Sequence, residues 1–180
     1  MKEIRVKSKR LFKGRVISLR VDETLLGSRK VVREVVEHPG SVAIVPMLSE
    51  KEVILIKQYR YAVGHELLEI PAGTLERREK PVKCAERELL EETGYRAHSF
   101  RRLGSVYLAP GYCNELIHIY LAESLEYVGQ RADEDERIRV VALSLEKALQ
   151  EVLGRRFYDA KTLCGLFLAV NALASKETNK

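Results

Sequence analysis

A chain of 180 residues, 46% of them hydrophobic, suits one domain with a true core and room for a small appendage. No apolar run approaches the roughly 18 residues of a membrane span, and the charged start MKEIRVKSKR has no apolar segment behind it that would read as a signal peptide. Cys84, Cys113 and Cys164 stand apart with no CxxC pair, so the expectation is a cytoplasmic protein with reduced thiols and neither a disulfide framework nor a zinc site. The net charge of +5 comes without aromatic–basic interleaving; nucleic acid is not the expected partner, whereas a small phosphate-bearing substrate or a merely solvated surface both suit it.

Val16–Leu26 and Lys30–His38 read as strands on either side of Gly27-Ser28. SVAIVPML and EVILIKQYR are apolar, β-branched runs bounding Ser49-Glu50-Lys51, and predict a hairpin or adjacent strands. ELLEI predicts a short strand leading into Pro71-Ala72-Gly73. Pro81 suits a first helical turn; the helix continues over Val82–Thr93 and Gly94 stops it. SFRRLGSVYLA, ELIHIYLAE and RIRVVAL follow as strands. Ser144 is placed to cap a helix over Leu145–Leu153. A last amphipathic helix is expected over Asp159–Ala174, with Leu163, Leu166, Phe167 and Val170 on one face. This strand-rich layout with a few helices predicts α+β or a mixed sheet with helices on its faces.

The helix over Val82–Thr93 carries the chemistry. Successive helical residues turn by about 100°, so Glu88, Glu91 and Glu92 crowd one side, while Val82, Ala85 and Leu89 form an apolar stripe that can pack on a sheet. Like charges at such spacing destabilise an isolated helix. A hard divalent cation with oxygen ligands removes the repulsion. So do Glu–Arg pairs on a solvated face, which is the commoner use of a Glu-rich helix.

The wider spacing favours the cation. Gly73, five residues, Glu79, seven residues and then Arg87-Glu88-Leu89-Leu90-Glu91-Glu92-Thr93-Gly94-Tyr95 resemble the Nudix hydrolase box, G-x5-E-x7-R-E-U-x-E-E-x-G-U. All the fixed positions match; Tyr95 departs from the last aliphatic position, which packs and does no chemistry. Gly73 permits a tight turn with backbone close to a ligand. The resemblance implies that Arg87 pairs with an acidic loop residue and that Glu79 supports the metal site. It further implies that Glu88, Glu92 and the Ala72 carbonyl hold Mg2+, or Mn2+ in its place, and that Glu91 is a flanking ligand or base. The reaction implied is hydrolysis of a nucleoside diphosphate linked to another group.

The flanks ILIKQYRYAVGHELLEIPAG and LAPGYCNELIHIYLAE, with Pro110 fifteen positions after Tyr95, resemble the ADP-ribose pyrophosphatase subgroup. That resemblance implies cleavage of ADP-ribose to AMP and ribose 5-phosphate, with Arg60 and Glu69 on substrate and Glu115 on a ribose hydroxyl or the metal. Arg60 has an ordinary alternative, pairing with Glu66 or Glu69, and Glu115 can be a solvated residue opening a strand. The subgroup implies a Nudix-type α/β/α sandwich with a mixed sheet over residues 40–180. Residues 1–39 would form an antiparallel β-extension that joins two copies into a homodimer. Carboxylates bound to a cation are poor bases, so a base outside the box is attractive. GQRADEDERIRVV offers Glu136, with Glu134 second, because related enzymes place a catalytic Glu just before this strand. The rivals are a pyrophosphatase of GDP-mannose or another nucleotide sugar, a housekeeping hydrolase of oxidised nucleoside triphosphates, and a non-catalytic sensor that binds ADP-ribose. The intact Glu88, Glu91 and Glu92 speak against the sensor.

Overall fold

The computed structural model describes residues 2–130, 137–154 and 158–177. They divide into two compact units, one of Met1–Gly40 with Tyr107–Leu116 and one of Ser41–Val106 with Ile117–Lys180.

In the first unit β1 (Ile4–Lys13), β2 (Ser18–Leu26) and β3 (Arg29–Glu37) form an antiparallel sheet in that order. β2 and β3 follow the predicted strands to within two residues. β1 was not foreseen. Half of its residues are Lys or Arg, and two register shifts interrupt its pairing with β2, so it carries no clean period-two signal. All ten of its residues are exposed, so its apolar side chains contribute no core signal either. Gly27, at φ 63, makes the turn into β3. The segment 107–116 is tied to β3 by the Val36 amide donating to the Tyr112 carbonyl and the Asn114 amide donating to the Val36 carbonyl.

The second unit holds β4 (Ser41–Pro46), β5 (Glu52–Arg60), β6 (His65–Glu69), β7 (Ala72–Thr74), α1 (Pro81–Thr93), β8 (Tyr95–Tyr107), β9 (Leu116–Tyr127), β10 (Ile138–Ser144), α2 (Leu145–Leu153) and α3 (Ala160–Glu177). A mixed sheet runs β7-β4-β9-β8, with β4 parallel to β9 and antiparallel to β7; an antiparallel sheet runs β10-β5-β6. β4 is buried at every position and alternates between two cores. Ala43 and Val45 join Ile117, Ile119 and Leu121 in a core closed by Ala148 and Val152 of α2 and Leu166 and Ala169 of α3. Val42 and Ile44 join Tyr120 and Ala122 under Cys84, Ala85 and Leu89 of α1. Each fully buried Val, Leu or Ile contributes about 1.5–3 kcal/mol. The layers are therefore α1, sheet, and α2 with α3: a mixed α/β Nudix-type fold with three helices among the described residues.

Several local expectations need correction. SVAIVPML and EVILIKQYR share one bridge, Met47 with Val53, and otherwise belong to different sheets. A strand buried on both faces takes the centre of a sheet, so β4 pairs with β7 and β9, and the turn at Ser49–Lys51 carries the chain into the other sheet. Ala72 and Gly73 are not a turn but strand residues, opposite Ala43 and Val42. β8 begins at Tyr95, straight after Gly94 at φ 77, four residues earlier than expected. The buried face of α3 runs through Thr162, Leu166 and Ala169; Phe167, 54% exposed, and Val170 lie off it. Ala169 and Thr162 are weak markers of burial beside a Phe, which is why the apolar pattern pointed elsewhere. Pro81 in the first turn and the Ser144 cap, whose oxygen accepts from the Lys147 amide, stand as expected.

Candidate active site

α1 packs Ala85 and Leu89 inward and keeps a file of carboxylates on its neighbouring side. Arg87 organises them. Its Nε and Nη2 donate to the two oxygens of Glu79, each at 3.1 Å, and its Nη1 donates to Glu88 at 2.7 Å and Glu91 at 3.0 Å. Nη2 also reaches the Thr74 carbonyl at 3.4 Å, so one guanidinium ties the helix to the loop before it. The hydrogen bonds to Glu79, against an opposing push from burial, hold Arg87 above the ordinary guanidinium value; the same bonds hold Glu79 below the usual carboxylate range. The expected pairing of Arg87 with an acidic loop residue is thus to Glu79.

Gly73 makes a closer approach than a turn requires. A Cβ built there would sit 1.9 Å from the Glu88 carboxylate, so any side chain would displace Glu88. Glu92 is 3% exposed and accepts the Ala72 amide at 2.9 Å. Ala72 and Glu92, predicted as metal ligands from either end of the box, are therefore in direct contact. Cys84 is fully buried, its thiol pushed well up by burial and the nearby Glu79 and Glu88 charges, so it has no reactive thiolate.

A second cluster lies at the β5–β6 pair. Arg60 donates from Nε and Nη2 to both oxygens of Glu69, at 2.8 and 2.7 Å. Of the two ordinary partners weighed for it, Glu69 is the one it takes; Glu66 binds Arg139. Glu69 is 1% exposed and also accepts from Lys161 of α3, which in turn pairs with Asp159 at 3.0 Å. Burial raises the Glu69 carboxyl, but the bonds and charges of Arg60 and Lys161 outweigh it and leave the pKa lowered. Both Glu69 oxygens are bonded within the chain and the residue is buried. Arg60 keeps part of its side chain open, and Glu92 and Asp159 add to the field upon it. Beside this network lies a cavity of about 430 Å3 lined by Val63, His65, Leu67 and Tyr158. His65 and Leu67 share a strand face with Glu69. Sequence reasoning missed Lys161 and Asp159. The one available signal was a lysine inside an otherwise apolar helix start.

Glu115 belongs to the first unit, where its carboxylate stands 3.7 Å from His38 Nδ1. Glu134 and Glu136 lie outside the described residues. Among the described residues no three acidic, histidine or cysteine side chains already stand as a coordination set. The donors along α1 are all carboxylate oxygens, the chemistry that a hard divalent cation takes, and Arg87 supplies a positive charge among them. The residues fit such an ion.

Residues 37–162 match the NUDIX domain. The chain is 40% identical over 165 residues to a protein of Bacillus subtilis (strain 168) named ADP-ribose pyrophosphatase, covering 90% of this chain and 89% of that protein. It is 39% identical over 178 residues to the methanol dehydrogenase activator of Bacillus methanolicus, covering 97% and 94%. A solved structure described as an ADP compounds hydrolase superposes with a TM-score of 0.85 at 23% identity, over 98% of this chain and 96% of that one, a likeness of fold.

Proposed function

We propose that this chain, which belongs to the Nudix family, hydrolyses ADP-ribose to AMP and ribose 5-phosphate with Mg2+. The observation that supports it most is the carboxylate file of α1 gathered on Arg87, in a chain 40% identical over most of its length to a protein named for that activity. Nudix enzymes typically use a divalent metal. Here Glu88, Glu92 and the Ala72 carbonyl would hold Mg2+, with Glu91 flanking. When bound, the ion neutralises the diphosphate and draws phosphorus towards water.

The chain's own residues do the rest. Arg60 binds a phosphate or the adenosine side through its open N–H groups, and Glu69 positions it by the paired bonds from Nε and Nη2. Glu115 binds a ribose hydroxyl or helps to organise the metal. Water attacks one phosphorus; the new P–O bond forms as the bridging P–O bond breaks, and the water's proton passes to Glu136, with Glu134 as the second choice and Glu91 if that loop takes no part.

The exposed apolar side chains of β1, among them Ile4, Val6, Leu11 and Phe12, support a homodimer joined through residues 1–39, a segment too small to build its own core. Light scattering of the full chain at micromolar concentration checks this; a fully active monomer contradicts it.

Competition among ADP-ribose, GDP-mannose and nucleoside triphosphates, with products separated by chromatography, tests the substrate. ADP-ribose should lead in kcat/KM and yield AMP and ribose 5-phosphate. A clear preference for GDP-mannose moves the protein to the nucleotide-sugar reading. The Bacillus methanolicus relative is named for activating another enzyme, which favours adding a dehydrogenase-activation assay as a second reading.

A further inference from the structure

The groove between α1 and the start of β8 forms a cavity of about 570 Å3, within the ~300–1,000 Å3 range of small-molecule sites. It belongs to the side of α1 away from the carboxylate file. At about 100° per residue, Lys83, Glu86 and Leu90 fall to one side of Arg87, and Glu88, Glu91 and Glu92 to the other. Leu90, Ala97 and Phe100 give the cavity an apolar wall, and Phe100 is held edge-on by Tyr120 with ring centroids 6.5 Å apart.

The charged side of the cavity is basic. Lys83, Arg87, Arg96 and His98 line it against a single carboxylate, Glu86. Glu86 is already bonded to Lys83 at 2.7 Å, Arg87 is committed to its own carboxylates, and His98 faces Glu126 from 3.7 Å. Arg96 is exposed, and its side chain makes no hydrogen bond or ion pair to any described residue. A guanidinium with no side-chain partner among the described residues, beside an aromatic, apolar wall, suits a phosphate monoester on a planar body.

We infer that the α1–β8 groove is a second, non-catalytic binding site for a small aromatic phosphate monoester, such as a nucleoside monophosphate, with the phosphate on Arg96 and Lys83 and the ring against Phe100 and Leu90. Arg87 is the wall this site shares with the carboxylate file.

Calorimetric titration of the full chain in excess chelator, using AMP, ribose 5-phosphate, adenosine and inorganic phosphate as probes, tests it. AMP should bind saturably and more tightly than the other three, because only AMP brings both ring and phosphate. Arg96→Ala should weaken AMP by about tenfold or more, the usual loss for one charge-assisted bond, and leave kcat/KM for ADP-ribose unchanged. The Arg96 side chain is exposed and makes no bond to any described residue, so this variant keeps the fold. Absence of AMP binding, equal binding of AMP and inorganic phosphate, or AMP affinity unaltered in both Arg96→Ala and Lys83→Ala overturns the inference. Arg96-dependent binding in a protein that hydrolyses nothing would sink the proposed activity and leave this site standing.

Discussion

The carboxylate file of α1 and the Arg60–Glu69 network are both charged clusters built around an arginine, yet their balance differs. On α1 Arg87 pairs with three carboxylates among the described residues (Glu79, Glu88 and Glu91), with Glu92 buried alongside. At the β5–β6 pair two cations, Arg60 and Lys161, face two carboxylates, Glu69 and Asp159. A balanced, buried network is closed: it holds elements together and positions what points out of it. A cluster on a half-open helix face with more carboxylates than cations among the described residues is the setting that a divalent cation suits. The cation proposed above is assigned to the unbalanced cluster, and a positioning role to the balanced one.

The sharpest way to break this contrast is to unbalance the closed network. Glu69→Ala leaves Lys161 buried without its principal partner and should cost about 3–5 kcal/mol of unfolding free energy, measured by urea titration. A loss below about 1 kcal/mol would show a surface-like pair and erase the distinction. Glu92→Gln keeps the shape and an oxygen for the Ala72 amide but removes one charge from the open cluster. Its turnover should fall about 10²–10³-fold, some 2.7–4 kcal/mol of barrier, with the urea midpoint little changed. Turnover comparable to wild type, or full activity in excess chelator, would contradict a cation at this site. Glu136→Gln should lower turnover by about 10² or more while Mg2+ and substrate affinity hold, with Glu134→Gln losing much less. If both variants turn over like wild type, the base falls to Glu91.

The smallest effect is that of pH. The Glu69 pKa is lowered in the folded chain, so its contribution is fully present above the unfolded value of about 4.3 and is lost as pH falls through the lower folded value. Wild-type stability should decline across that acid window more steeply than that of Glu69→Gln, followed as the urea midpoint against pH. Parallel curves would mean that the network does not hold the Glu69 proton affinity down.

What the sequence alone determined is whatever depends on neighbours in the chain. The α1 boundaries, with Pro81 at the start and Gly94 at the stop, follow from local backbone preferences, and the crowding of Glu88, Glu91 and Glu92 follows from helical rotation. The family spacing around them is equally local. The Arg60–Glu69 pair was half legible, because antiparallel strands joined by a short turn bring such residues together, but the choice of Glu69 over Glu66 needed the register Arg60 opposite His65 and Ile56 opposite Glu69. Only the tertiary structure decided the rest. Lys161 reaches Glu69 across 92 residues of chain; β4 and β5 part into separate sheets because β4 is buried on both faces; α3 turns Ala169 inward and Phe167 outward. Each of these outcomes is a competition among long-range packing partners, and periodicity along one segment carries no information about what waits on the other side of the core.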